Sequence, residues 1–182
     1  IDDVLRARPA SIGRTLAIVA VFAAAYGLVM GSFSTDGHLR FKQMLFSASK
    51  MPLLLLVTFA ISLPSFFVLN TIAGVRADFR QAIRSIVAAQ AGLAIVLASL
   101  GPITALWYAS SANYEQAILF NAAMFAIASL AAQILLRKLY RPLIARDPRH
   151  RLLIRAWLII YAFVGIQLGW VLRPFIGHPY EP

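Results

Sequence analysis

The sequence predicts an all-α fold: a polytopic integral membrane bundle of five transmembrane helices plus one interfacial amphipathic helix, forming a single transmembrane domain over residues 1–182. Three observations predict it. The chain is 60% hydrophobic and only 13% charged, where an ordinary soluble domain has roughly 45–50% apolar and about 25% charged residues. Its apolar residues fall in five runs free of Asp, Glu, Lys and Arg, and its cations are sorted into alternate connections between those runs.

The runs cover residues 15–33, 51–73, 86–108, 116–136 and 156–172. Each is close to the ~20 residues that an α-helix needs to cross the hydrocarbon core. Helix is the expected form because an unpaired backbone amide in lipid costs several kcal/mol, and the period-2 alternation of barrel strands is missing. Counting cations in the connections then orients the bundle. With the N-terminus inside, thirteen of the seventeen Lys and Arg lie on the inner side, and Arg40, Lys42, Lys50 and Arg173 on the outer. Trp107, Tyr108 and Trp170 are expected at outer headgroup depth, Tyr140 and Trp157 at inner headgroup depth. The expected location is a bacterial inner membrane with a cytoplasmic N-terminus.

Arg76, Arg80 and Arg84 follow the second run at a spacing of i, i+4, i+8, which lines one face of a helix leading into the third. They mark the cytoplasmic surface, where the expected contact is with anionic lipid headgroups or a partner subunit. Arg137, Lys138 and Arg141 belong to the longest inner connection, "RKLYRPLIARDPRHRLLIR", whose Arg-Pro and Asp-Pro steps are expected to break helix. Nucleic acid is not an expected partner, since Tyr140 is its only aromatic residue. In "HLRFKQMLFSASKMP", Phe41, Met44, Leu45 and Ala48 recur on one helical face and Arg40, Gln43, Ser47 and Lys50 on the other. An amphipathic helix over about 38–50, lying flat at the outer interface, is the expectation.

Reactive chemistry is hard to place. Without cysteine there is no disulfide, thiolate nucleophile or iron–sulfur ligation. His38, His150 and His178 all fall outside the runs, so no axial haem ligand is expected within them and no cofactor or metal is predicted. No nucleotide-binding, zinc-protease or serine-hydrolase motif occurs. None of the seven acids lies inside a run, which lowers the expectation of an ion-coupled transporter.

Packing residues are plentiful instead. Gly27 with Gly31, and Gly165 with Gly169, form Gly-x-x-x-Gly pairs that let helix backbones approach. Four amides are expected at membrane depth: Gln90, Asn121, Gln133 and Gln167. They either bond between helices or, for Gln90, Asn121 and Gln167, converge on one polar pocket. Pro64 and Asn70 are read as a packed kink and an interhelical hydrogen bond. The first run is too long for a signal peptide, and a further span beyond Pro182 stays open.

The stretch from 63 to 103, with "DFRQAIRSIVAAQAG" after a Gly-containing turn and Pro102 late in the next run, resembles the middle of the Yip family of Rab-interacting membrane proteins. That resemblance implies five spans, a cytoplasmic N-terminus and a non-catalytic character. This chain has "GVRAD" where the family shows a glycine-richer turn. The expected function is a non-catalytic scaffold or accessory subunit of a larger membrane complex, with a permease or lipid-handling protein as the alternative.

Overall fold

A computed structural model describes residues 11–33, 41–111, 113–173 and 175–176. Arg6, Arg8, Arg40, His38 and His178 lie outside the described residues, as do positions 38–40 of the amphipathic stretch. All the regular structure described is helical: α1 (Ile12–Gly31), α2 (Phe41–Ile72), a 3₁₀ turn (Arg76–Asp78), α3 (Phe79–Ser110), α4 (Tyr114–Arg146) and α5 (Arg149–Val171). Five of these are long and apolar enough to cross a membrane, which makes the chain an integral membrane protein.

Capping and turn chemistry set several boundaries. Ser11 starts α1 by accepting the Arg14 N–H at 3.3 Å, and Asn113 starts α4 by accepting the Gln116 N–H at 3.1 Å. Gly74 ends α2 with a φ of +75°, the left-handed conformation that glycine adopts without a Cβ penalty. The Val75 N–H reaches back to the Asn70 carbonyl at 3.0 Å and the Gly74 N–H to that of Thr71 at 3.1 Å, the paired bonds of a Schellman motif. Gly74 is the one residue of the turn with a positive φ, so one glycine suffices, and Val75 after it is buried.

The helices outrun the apolar runs. α2, of 32 residues, and α4, of 33, are each roughly 50 Å long at 1.5 Å per residue, against ~30 Å of hydrocarbon. Two expectations change as a result. Residues 41–50 are not a separate interfacial helix but the first turns of α2, and their inward side is mixed, with Met44 and Ala48 against α1 beside Gln43 and Ser47. Ser47 is fully buried while Phe41 and Leu45 are exposed, because the Ser47 and Gln43 side chains both donate to the Phe175 carbonyl. Likewise Arg141-Pro142 does not break α4. The carbonyl that Pro142 leaves without its helical donor belongs to Lys138, an exposed residue whose backbone can meet water or headgroups. Only Asp147-Pro148 separates α4 from α5, and the Asp147 carboxylate accepts the Arg149 N–H at 2.8 Å.

The helices do not pack in chain order. α1 lies between α2 and α3, α4 packs on α3, and α5 on α2, leaving α4 and α5 with little mutual contact. The buried stripe Val19, Ala23, Tyr26, Gly27, Met30 and Gly31 is the helical-period face that α1 presents to its neighbours. The core has two parts. With the end of the bundle at the start of α1 named the inner end and the opposite one the outer, an outer cluster joins α1 through α4 around Tyr26, Phe33, Met51 and Leu97. An inner one joins α2 through α5, with Ile12 and Leu16 packed against it. Trp157 and Tyr140 belong to the inner core rather than an aromatic belt: Trp157 packs edge-on against Phe66 at 5.0 Å and Phe59 at 6.0 Å.

Candidate functional site

The inner end collects the cations, because α1 and the α2–α3 and α4–α5 turns all meet there. Arg80, Arg84, Arg137, Lys138 and Arg141 are exposed on α3 and α4. Arg76 is also exposed but leaves the expected stripe. It sits on the 3₁₀ turn rather than on α3, with its guanidinium 5.3 Å from the Phe67 ring centre on α2.

Beneath this surface lies a polar latch. The Asp78 carboxylate faces Arg146 at 3.4 Å and His150 Nε2 at 3.3 Å, tying the start of α3 to both sides of the α4–α5 turn. Arg146 also donates to the Gln81 side chain at 3.2 Å, and Arg149 to the Ala73 carbonyl at 3.0 Å. His150 is fully buried, edge-on to Tyr140 at 5.8 Å. The Tyr140 hydroxyl and His150 Nδ1 have no hydrogen-bond partner. Sequence reasoning placed His150 and Asp78 outside the membrane but did not join them. They are 72 positions apart, and neither spacing nor composition signals a pair that only the packing of α5 against α2 creates.

The four amides part company. Asn121 is the centre of an outer network: its carbonyl accepts from the Tyr26 hydroxyl at 3.0 Å, while its amide donates to the Tyr108 hydroxyl and, at 2.7 Å, to the Ala117 carbonyl. Three helices are joined there. Gln90 bonds Tyr161 of α5 at 2.9 Å, in the inner cluster. Gln133 lines the same cavity as Gln90, and Gln167 is exposed on α5. Gln90, Asn121 and Gln167 therefore do not converge. Asn70 bonds within its own helix, to the Phe66 carbonyl at 2.8 Å, rather than across to another.

The glycine pairs differ as well. A β-carbon at Gly27 would collide with the Ser47 carbonyl oxygen and lie 2.9 Å from Ala48 Cα; at Gly31 it would lie 2.7 Å from Met44 Cα. Those are backbone atoms that cannot yield cheaply. At Gly165 the nearest atom, in the Thr58 side chain, is 3.6 Å away, and at Gly169 the Leu54 side chain is 4.0 Å away, ordinary contacts. The tightest site that sequence reading missed is Gly92, where a β-carbon would come within 2.6 Å of the Leu135 side chain.

Two cavities open where α4 and α5 separate. The inner one, about 240 Å³, lies among α3, α4 and α5; the outer one, about 850 Å³, is lined by α1, α2, α4, α5 and the segment Phe175-Ile176. The outer lining is largely apolar, with Asn121 at its wall and Arg173, stacked 4.0 Å over Trp170, among its residues. Among the described residues no three His, Asp or Glu come together to hold a metal ion. No family model, curated protein or solved structure matches the chain.

Proposed function

We propose that this protein is a non-catalytic scaffold or accessory subunit of a larger membrane complex, set in a bacterial inner membrane with its N-terminus and cationic end in the cytoplasm. The observation that carries the proposal is the separation of the polar groups at membrane depth. Asn121 bonds Tyr26 and Tyr108 in the outer cluster, Gln90 bonds Tyr161 of α5, and Gln167 is exposed on the far surface of that helix. A polar solute crossing hydrocarbon needs a succession of fixed partners to replace water, and these groups form no such succession. The exposed Arg76, Arg80, Arg84, Arg137, Lys138 and Arg141 supply contacts to anionic lipid, each gaining about 1 kcal/mol near the headgroups, or to partner subunits. The Yip-family resemblance agrees with a non-catalytic role.

The test is isolation from native membranes in mild detergent. Co-purification of defined membrane subunits in fixed stoichiometry is expected; a monodisperse species containing this chain alone overturns the proposal. A second function, lipid handling, draws support from the large apolar outer cavity. It predicts lipid exchange between vesicles by the isolated chain, which a scaffold does not perform.

A further inference from the structure

The inner cavity has a feature that close packing does not require. Gln90 is 6% exposed, and its Oε1 is buried without a hydrogen-bond partner while its Nε2 donates to the Tyr161 hydroxyl. Both residues line the cavity. In this arrangement Gln90 Oε1 is a free acceptor and the Tyr161 O–H a free donor. Turning the amide over exchanges the roles, leaving Nε2 as donor and the Tyr161 oxygen as acceptor. Either way the pair offers at least one donor and one acceptor to whatever fills the space. A buried amide oxygen left unpaired costs about 1–3 kcal/mol, which an occupant with the matching groups recovers.

The surroundings define that occupant. Gln90 lies eleven residues into α3 and Tyr161 twelve into α5, each about 17 Å along its helix from the inner end and so within the membrane. Access is therefore from the bilayer, and α4 and α5, which flank the cavity, touch each other little. No Lys, Arg, His, Asp or Glu lines the cavity, so a phosphate or carboxylate head would be buried without a counter-charge. A bare hydrocarbon chain would leave the amide unsatisfied. At about 240 Å³ the space lies below the range of roughly 300–1,000 Å³ typical of sites for whole drug-sized ligands. It suits a head group whose tail continues outward between α4 and α5.

We infer that this cavity binds the hydroxyl head of an uncharged membrane lipid, held by the Gln90 amide and the Tyr161 hydroxyl. A hydroxyl is a small group that donates and accepts at once, and both diacylglycerols and isoprenoid alcohols carry it. The site is independent of the scaffold function proposed above.

The test is native mass spectrometry of the full chain in detergent, titrated separately with dioleoylglycerol and geranylgeraniol, with trioleoylglycerol and phosphatidate as controls. A saturable adduct with at least one alcohol and with neither control is expected, and the alcohol retained identifies the lipid class. Tyr161→Phe, which keeps the ring, removes one neutral hydrogen bond and should weaken the adduct about 2–10-fold. Ser129→Leu, which enters the cavity from α4, should abolish it. Absence of an adduct with either alcohol, equal retention of trioleoylglycerol, or full binding by both variants overturns the inference. Gel filtration of each variant separates lost binding from lost folding, and the comparison of alcohols with controls stands on the wild-type chain alone.

Discussion

Gly27 of α1 lies directly against the backbone of Ser47 in α2, so close that a β-carbon at Gly27 would overlap the Ser47 carbonyl oxygen. This contact fixes how the first turns of α2 dock. With Ser47 turned inward and bonded to Phe175, the outer ends of α1 and α2 and the segment after α5 form one unit.

Gly27→Ala and Gly31→Ala should therefore destabilise the detergent-solubilised protein by at least the roughly 1–3 kcal/mol typical of overpacking. Gly165→Ala and Gly169→Ala should be neutral or slightly stabilising, since alanine gains up to about 1 kcal/mol over glycine in a helix and meets only ordinary contacts. Thermal unfolding followed by gel filtration measures all four. Equal sensitivity of the two pairs would contradict the packing described.

Asn121→Leu should be more damaging than an average intramembrane amide change, because it takes a partner from the hydroxyls of both Tyr26 and Tyr108. A loss of about 2–3 kcal/mol is expected, partly restored in the double variant with Tyr26→Phe. Gln167→Leu, on the exposed face of α5, should cost little. A double-mutant cycle on melting temperature reads both, and additivity between Asn121 and Tyr26 would remove the network.

At the inner end Asp78 is the residue on which the latch depends. Asp78→Ala should loosen the α4–α5 turn, seen as faster proteolysis around 147–151, because it leaves buried His150 without its carboxylate. Arg146→Ala should have little effect, since its side chain is 62% exposed and such ion pairs contribute about 0–1 kcal/mol. Protection of the turn in the Asp78 variant equal to wild type would refute this division of roles.

The five spans were legible in the sequence because a charge-free run of span length, repeated five times in so short a chain, has no soluble core large enough to bury it. Helix ends were not legible. Charged residues mark where the membrane stops, whereas α4 continues through Arg137, Lys138, Arg141 and Pro142 to Arg146, since hydrogen-bonded backbone remains favourable beyond the hydrocarbon. The face of residues 41–50 was not legible for a related reason: Phe41 and Leu45 turn outward while the polar Gln43 and Ser47 find their partner inside, next to Met44 and Ala48. Gln90 and Asn121 stood out as amides in apolar runs, but their tyrosine partners come from other helices. The latch between Asp78 and His150 was beyond reach, because it depends on tertiary packing alone.

The proposed orientation, five crossings with the cationic end of the bundle in the cytoplasm, is open to a direct test. Because the chain has no cysteine, single cysteines at Ser11, Ser111 and Arg151 report directly on it. An impermeant thiol reagent applied to intact cells should label Ser111→Cys only, with Ser11→Cys and Arg151→Cys reacting once the membrane is opened. Labelling of Ser11→Cys or Arg151→Cys in intact cells, with Ser111→Cys protected, would contradict the account.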